Sequence, residues 1–356
     1  MEVLDEGFLG MGRFVGDLES AVLEAIGSPP RHAAVVSTGH AALHLAMVIA
    51  GIGPGDEVIT PSFTHLSDIQ AILNVGARPV FCDADPITAC IDPERAAELI
   101  GPNTRAIIAM DYGCFVCDHD AFAALAAQHG LRLIHDAAHA FGSSYRGKAV
   151  GTFSDICMFS FDPVKALTAV DCGVLVVKSD AELAHIQRLR LLGSDQPPTT
   201  MYKNARTWDY DAVHEGFRYH VSNLHAAIGI AQVKKLDRIR STRQASCRVY
   251  SERLKEIDGV QIPASDFEDV NPFLYAVRIA GGRRDDLRAF LAEGGVDTGM
   301  HWRPAHRHTY FSQFRAGPLP VTERLGDEIV SLPLHSCMDD TTVHRVCDGL
   351  EAFFSS

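Results

Sequence analysis

Short apolar runs alternate with longer stretches of mixed polarity from about residue 15 to residue 180. The runs Ala33–Val36, Glu57–Thr60, Pro79–Cys82, Ala106–Ala109, Leu131–Ile134, Asp155–Phe159 and Val174–Val177 have the length and composition of strands buried on both faces. Between them lie helical patterns such as His40–Ala50 and Ala121–His129. The segments Gly53-Pro54-Gly55-Asp56 and Gly76-Ala77-Arg78-Pro79 punctuate them as turns. This alternation predicts an α/β fold, a mostly parallel sheet covered by helices. Ligands of such sheets bind at the carboxyl ends of the strands.

The pattern changes after residue 190. Polar residues, prolines and aromatics crowd Gly193–Tyr219, which reads as a long loop, and loops of that length are usually functional. A long helical region is expected from about Ser222 to Ile257, with the domain change inside it. Beyond it, strands are expected near Tyr275–Ile279 and Thr298–Trp302, and helices near Asp285–Ala292 and Thr341–Phe354. The predicted organisation is a large domain over 1–240 and a smaller C-terminal α+β domain over 241–356. No internal repeat or low-complexity tract interrupts it.

Composition narrows the class. A chain of 356 residues that is 47% hydrophobic can bury a large core. A formal charge of −13 argues against nucleic acid or an anionic membrane as the main partner. No window reaches the roughly 20 apolar residues of a membrane span. The start, Met1-Glu2-Val3-Leu4-Asp5-Glu6, lacks the basic and apolar regions of a signal peptide. The nine cysteines are scattered, so a reduced, cytoplasmic enzyme is expected. Cys114-Phe115-Val116-Cys117 is a C-x-x-C without a second ligand pair or a helix start, so neither redox nor zinc chemistry is expected of it.

The chemistry centres on Lys165, in Met158-Phe159-Ser160-Phe161-Asp162-Pro163-Val164-Lys165. Taken alone, a lysine is ordinarily a solvated surface charge. This one follows an apolar strand and a Phe-Asp-Pro turn. Asp136 ends the apolar run before Ala137-Ala138-His139, where a side chain points into a ligand crevice, although a helix cap is the plain alternative. Ser37-Thr38-Gly39-His40 joins a strand to a helix, so its small residues let backbone amides approach an anion at a helix N-terminus. On that fragment alone, an ordinary turn capped by Thr38 or Ser37 is the better reading. Ser160 adds a hydroxyl. Together, an amine for a Schiff base, a carboxylate for a pyridinium and a phosphate cup describe a pyridoxal 5′-phosphate (PLP) site. His135 and His139 form H-x-x-x-H, but across a strand end rather than on a helix, so no metal site is expected. His139 fits a contact to the cofactor's ring hydroxyl. Arg238-Ile239-Arg240-Ser241-Thr242-Arg243 reads as a solvated helix face.

Further stretches carry a resemblance: Gly53–Thr64, Gly76–Asp83, Asp136–Gly142, Ser160–Lys165, Leu224–Gly229, His301-Trp302-Arg303-Pro304 and Leu332-Pro333-Leu334. With Ser37–His44 they are ordered along nearly the whole chain. The chain resembles the DegT/StrS family of PLP-dependent (nucleotide-)sugar aminotransferases, which have the type I aminotransferase fold. The resemblance implies that Lys165 is the Schiff-base lysine and Asp136 the pyridinium partner. It implies that Gly39, His40 and Ser160 hold the phosphate. It further implies a homodimer with shared active sites, pyridoxamine phosphate as the intermediate cofactor form, and glutamate or glutamine as amino donor. The acceptor class is a keto-sugar, a nucleotide-linked keto-sugar or a keto-cyclitol. The alternatives are a PLP-dependent sugar dehydratase, against which Lys165 itself argues, and a non-catalytic PLP-binding regulatory or partner subunit.

The chain departs from the family pattern in places. His65 stands where an aromatic ring usually stacks on the cofactor, and His40 where threonine is usual. Gly216-Phe217-Arg218-Tyr219-His220 replaces the familiar Gly-Tyr-Asn-Tyr-Arg, so Arg218 is expected at the partner's phosphate or at a substrate anion. Val170-Asp171-Cys172-Gly173 replaces a glycine-rich turn, and the chain is expected to lack the family's first short strand and helix. His220, His301 and Arg303 are candidates for substrate contact, with His306 and His308 near them on a loop expected to face the substrate.

Overall fold

A computed structural model describes residues 2–203 and 209–355. Met1, Ser356 and the stretch 204–208 of the expected Gly193–Tyr219 loop lie outside the described residues. All seven apolar runs of the first half form strands of one sheet: β1 (His32–Val36), β2 (Glu57–Pro61), β3 (Arg78–Cys82), β4 (Thr104–Met110), β5 (Arg132–Asp136), β8 (Ile156–Ser160) and β9 (Gly173–Val177). The two-residue strands β6 (Ser144–Tyr145) and β7 (Lys148–Ala149) make a separate hairpin. The order across the sheet is β1-β9-β8-β5-β4-β2-β3. Strands β3, β2, β4, β5 and β8 run parallel, and β9 is antiparallel to both of its neighbours.

Successive side chains leave a strand on opposite faces, and both faces here are covered. Ala33, Val35, Cys157, Phe159, Val174 and Val176 pack with Phe14, Val15, Leu18 and Val22 of the helix Arg13–Ala25. Ala34, Val36, Ile156, Met158, Leu175 and Val177 pack with the helix Gly39–Ile49. Each large apolar side chain so buried contributes about 1.5–3 kcal/mol. That is why these runs are apolar throughout rather than alternating.

Register brings the chemistry to one edge. Val36 and Ser160 both pair with Gly173, and Asp136 pairs with Met158 and with Met110. The ends of β1, β5 and β8 therefore meet the start of β9. A Cβ on Gly173 would lie 2.2 Å from the Thr38 carbonyl oxygen, so only glycine lets the two backbones approach there.

The second sheet is antiparallel, in the order β10 (Val260–Gln261), β11 (Tyr275–Ile279), β12 (Ile329–Leu332). It packs on the helices Leu236–Leu254, Arg284–Glu293 and Asp340–Ser355 through Tyr250, Leu254, Val277, Leu287, Val343 and Leu350. Four expectations need correction. Thr298–Trp302 is not a strand and makes one bridge, Gly299 to Ser331. Both edges of β11 are already taken, and the His301 carbonyl accepts from the Tyr112 hydroxyl instead of from a ladder. The long helix is two, Asn223–Val233 and Leu236–Leu254, with the break at Lys234–Lys235. Within the second, Arg238 is exposed but Arg243 is buried, its guanidinium donating to the carbonyls of Pro272 and Phe273 at 3.1 and 3.3 Å. The expected loop also holds a short helix, Pro198–Tyr202, and further helices lie at Glu2–Asp5 and Arg13–Ala25.

Candidate active site

The strand ends enclose a cavity of about 510 Å³, a size suited to a small organic ligand. Of the residues singled out in the sequence, Gly39, His40, His65, Asp136, His139, Ser160, Lys165 and His301 line it. Arg218, His220 and Arg303 do not. Arg218 is exposed and bridges to Leu191, and Arg303 is exposed with its guanidinium on the Arg307 carbonyl. His306 turns away, its Nδ1 2.7 Å from the Ser62 hydroxyl, so the loop sends His301 and Trp302 to the cavity but not all its histidines.

At one end, Thr38 caps the helix Gly39–Ile49, its hydroxyl accepting from the Ala41 amide at 2.9 Å. The capping explanation for Thr38 is thus correct. It does not compete with an anion site, because the first amides of a helix have no partner within it. A Cβ on Gly39 would lie 2.8 Å from Ser160 Oγ. The bare glycine leaves room beside a hydroxyl and a helix N-terminus, and that room suits a phosphate.

At the other end, Asp136 closes β5 and is buried, its Oδ1 accepting from the Ala138 amide at 2.8 Å. Burial raises its pKa above the usual carboxylate range, while that amide and Lys165 pull the other way. Lys165 follows a turn in which Asp162 accepts from the amides of Val164 and Lys165 at 2.9 and 3.0 Å. Its Nζ lies 4.6 Å from the centre of the Phe273 ring. Burial lowers the pKa of the amine, against the pull of Asp136, Asp162 and Asp68.

Histidines and aromatics form the remaining wall. The His139 ring sits between Phe273 and Trp302, at centroid distances of 4.2 and 5.1 Å. Its Nδ1 accepts from the Gly113 amide at 3.1 Å, which leaves the proton on Nε2. Burial keeps this ring neutral. His65 caps the helix Leu66–Asn74 through Nδ1 and sets its ring edge-on to Trp302 at 6.0 Å.

His135 faces the opposite side of the sheet from the cavity. Its Nε2 is 2.6 Å from Asp111 and its Nδ1 2.7 Å from the Ser154 hydroxyl. The two histidines of the H-x-x-x-H pair therefore never meet. Asp111, Cys117 and His119 lie close together and buried beside His135; the Cys117 thiol donates to the Met110 carbonyl and His119 Nε2 lies 3.2 Å from Asp111 Oδ1, while His119 Nδ1 has no hydrogen-bond partner among the described residues. Burial pushes the Cys114 and Cys117 thiols well above the usual thiol range, which keeps them protonated. Among the lining residues, Phe273 carried no signal in the sequence, because its neighbours in the chain lie outside the cavity.

A family model for DegT/DnrJ/EryC1/StrS aminotransferases matches residues 1–351. The chain belongs to this family. Among similar solved structures is the aminotransferase TlmJ from Streptoalloteichus hindustanus, 31% identical, with a TM-score of 0.92 over 99% of this chain and 94% of that one. DesV from S. venezuelae is 30% identical, with a TM-score of 0.91 over 100% of this chain and 93% of that one. A 3-amino-5-hydroxybenzoic acid synthase is 27% identical, with a TM-score of 0.89 over 100% of this chain and 95% of that one. The chain is a PLP-dependent aminotransferase with the aminotransferase α/β fold. Among the described residues, no helix is long and apolar enough to cross a membrane.

Proposed function

We propose that this cavity moves an amino group from glutamate or glutamine to a keto-sugar, a nucleotide-linked keto-sugar or a keto-cyclitol. The observation that carries this is the convergence of Lys165 and Asp136 on one cavity whose far wall is a helix N-terminus beside Ser160. When bound, PLP supplies an aldehyde for the lysine and an electron-poor ring. Asp136 would pair with the ring nitrogen and favour its protonated form. The Gly39 and His40 amides and the Ser160 hydroxyl would hold the phosphate. His139 would donate from Nε2 to the ring oxygen, and His65 would cover a ring face. Lys165, its basicity reduced by burial, would carry the proton that leaves the donor's Cα.

The lining residues include no arginine, whereas the donor's carboxylate calls for a cation. In our reading Arg218 supplies one from a second copy of the chain, in a cytoplasmic homodimer with shared sites. His220, His301 and Arg303 complete the substrate contacts. The chain divides at residue 240, within the helix Leu236–Leu254, into a cofactor-binding domain over 1–240 and a smaller one over 241–356. The similarity to a 3-amino-5-hydroxybenzoic acid synthase supports a cyclic acceptor that need not be a nucleotide sugar.

An absorbance spectrum with PLP, before and after L-glutamate or L-glutamine, tests the function. Conversion from the aldehyde-derived band to that of the amine form is expected with one of the two donors. Lys165→Ala should abolish turnover and leave the circular dichroism spectrum unchanged. A bound cofactor that neither donor converts overturns the proposal.

A further inference from the structure

Behind Asp136 lies a second carboxyl group that does not line the cavity. Asp68 sits in the first turn of the helix Leu66–Asn74 and is fully buried. Its Oδ2 accepts from the Thr64 hydroxyl, which also lies 2.8 Å from Met110 Sδ. Its Oδ1 has no hydrogen-bond partner among the described residues. The Thr64 hydroxyl that serves Asp68 also touches Met110, the strand partner of Asp136, and the Asp68 and Asp136 carboxyl groups act on each other electrostatically.

An acceptor oxygen buried without a donor is costly, because it has given up water for nothing. Two carboxylates side by side add mutual repulsion, and such pairs hold on to one proton between them. A proton on Asp68 Oδ1, donated to Asp136, removes both penalties. Opposing it, the helix N-terminus favours an anion at Asp68. That gain is smaller than the cost of burying a second charge. The other charged groups are Lys165, with Asp162 beside it on the cavity side, and Asp111 on the far side of the sheet. Burial and the charge of Asp136 push the Asp68 carboxyl well up, outweighing the Thr64 hydroxyl and Lys165.

We propose that Asp68 is a positioning residue, a buried carboxylic acid that donates its proton in a hydrogen bond to Asp136 and leaves the pair a single negative charge. This rests on the role given to Asp136 above. A carboxylate that already accepts a hydrogen bond is a weaker base. Asp136 therefore leaves the proton on the cofactor's ring nitrogen instead of taking it, and the ring stays electron-poor. Asparagine at position 68 keeps a donor for Asp136 and an acceptor for Thr64, whereas leucine keeps neither.

Infrared difference spectra between the wild-type and Asp68→Asn holoenzymes, recorded from pH 6 to pH 8, are the first test, because carboxyl groups of ordinary pKa are ionised in that range. A protonated carboxyl band should persist in the wild type and disappear in Asp68→Asn. Nitrogen-15 NMR of labelled PLP bound to the protein is the second. The ring nitrogen should be protonated in wild type and Asp68→Asn, and shift toward the unprotonated position in Asp68→Leu. A carboxyl band unchanged in Asp68→Asn, or a wild-type ring signal in folded Asp68→Leu, overturns the role of Asp68. Failure of the underlying reading looks different: Asp136→Ala then leaves the ring signal at its wild-type position.

Discussion

Arg243 shows how a single charged side chain serves the site without touching it. Its guanidinium is buried and donates to the carbonyls of Pro272 and Phe273, and Phe273 is the ring under the Lys165 amine and against His139. Burial, with no carboxylate among its hydrogen-bond partners, lowers its pKa to about 10. Removing the side chain strands two carbonyls and frees the segment that aims Phe273. Arg243→Ala should cost about 2–4 kcal/mol in urea unfolding, the scale for hydrogen bonds to a buried charged group. The same variant should bind PLP more weakly, and unchanged stability would argue against this anchoring role. Nothing in the pattern around Arg238–Arg243 separates the buried arginine from its exposed neighbours, because helix position alone does not say which face a second layer covers. Lys165 and Asp136 were legible for the opposite reason. Each stands just after an apolar strand, and strand ends of such sheets open onto ligand crevices. Phe273 and Asp68 join the site by tertiary contact only.

At the scale of elements, the strand-to-helix turn Thr38–Gly39 packs directly on the end of β8. A Cβ on Gly39 meets Ser160 Oγ at 2.8 Å and Ser160 Cβ at 2.9 Å. Turning the hydroxyl aside relieves the first contact but not the second, because Ser160 Cβ is fixed to the backbone of β8, so Gly39→Ala must shift the turn against the strand and should cost about 1–3 kcal/mol. PLP affinity should fall about tenfold or more, since both the amide approach and the hydroxyl are displaced. Titration of the variant with PLP, followed by absorbance, checks this, and wild-type affinity would remove the helix N-terminus from the phosphate site. The strands of the large sheet were readable because both faces are buried and the runs are apolar end to end. Thr298–Trp302 misled for a physical reason: its aromatic residues are apolar to fill a cavity wall, not to cover a sheet.

For the molecule as a whole, burial holds many imidazoles neutral, with His135 lowered to about 4 and His139 well below its usual value. The unfolded chain takes up these protons near pH 6.5 and the folded chain does not. The unfolded state thus binds more protons between about pH 6.5 and pH 4, and stability falls as pH falls through that window. His135 alone accounts for about 3 kcal/mol of this at full effect. Urea midpoints measured from pH 7 down to pH 4 should decline, and His135→Gln should flatten the slope.

The arrangement of sites across subunits is open to a sharper test. Within one chain Arg218 is exposed and away from the cavity that holds Lys165, yet the chemistry of an amino-acid donor calls for a cation there. If Arg218 enters the partner's cavity, Lys165→Ala and Arg218→Ala damage the same site from different chains. A heterodimer of the two variants then has one site with both defects and one site with neither. Random reassortment makes half of the dimers mixed, so about a quarter of wild-type activity should return on mixing two variants that are each inactive alone. If both residues serve a cavity built by one chain, every site in every dimer carries a defect, and mixing restores nothing.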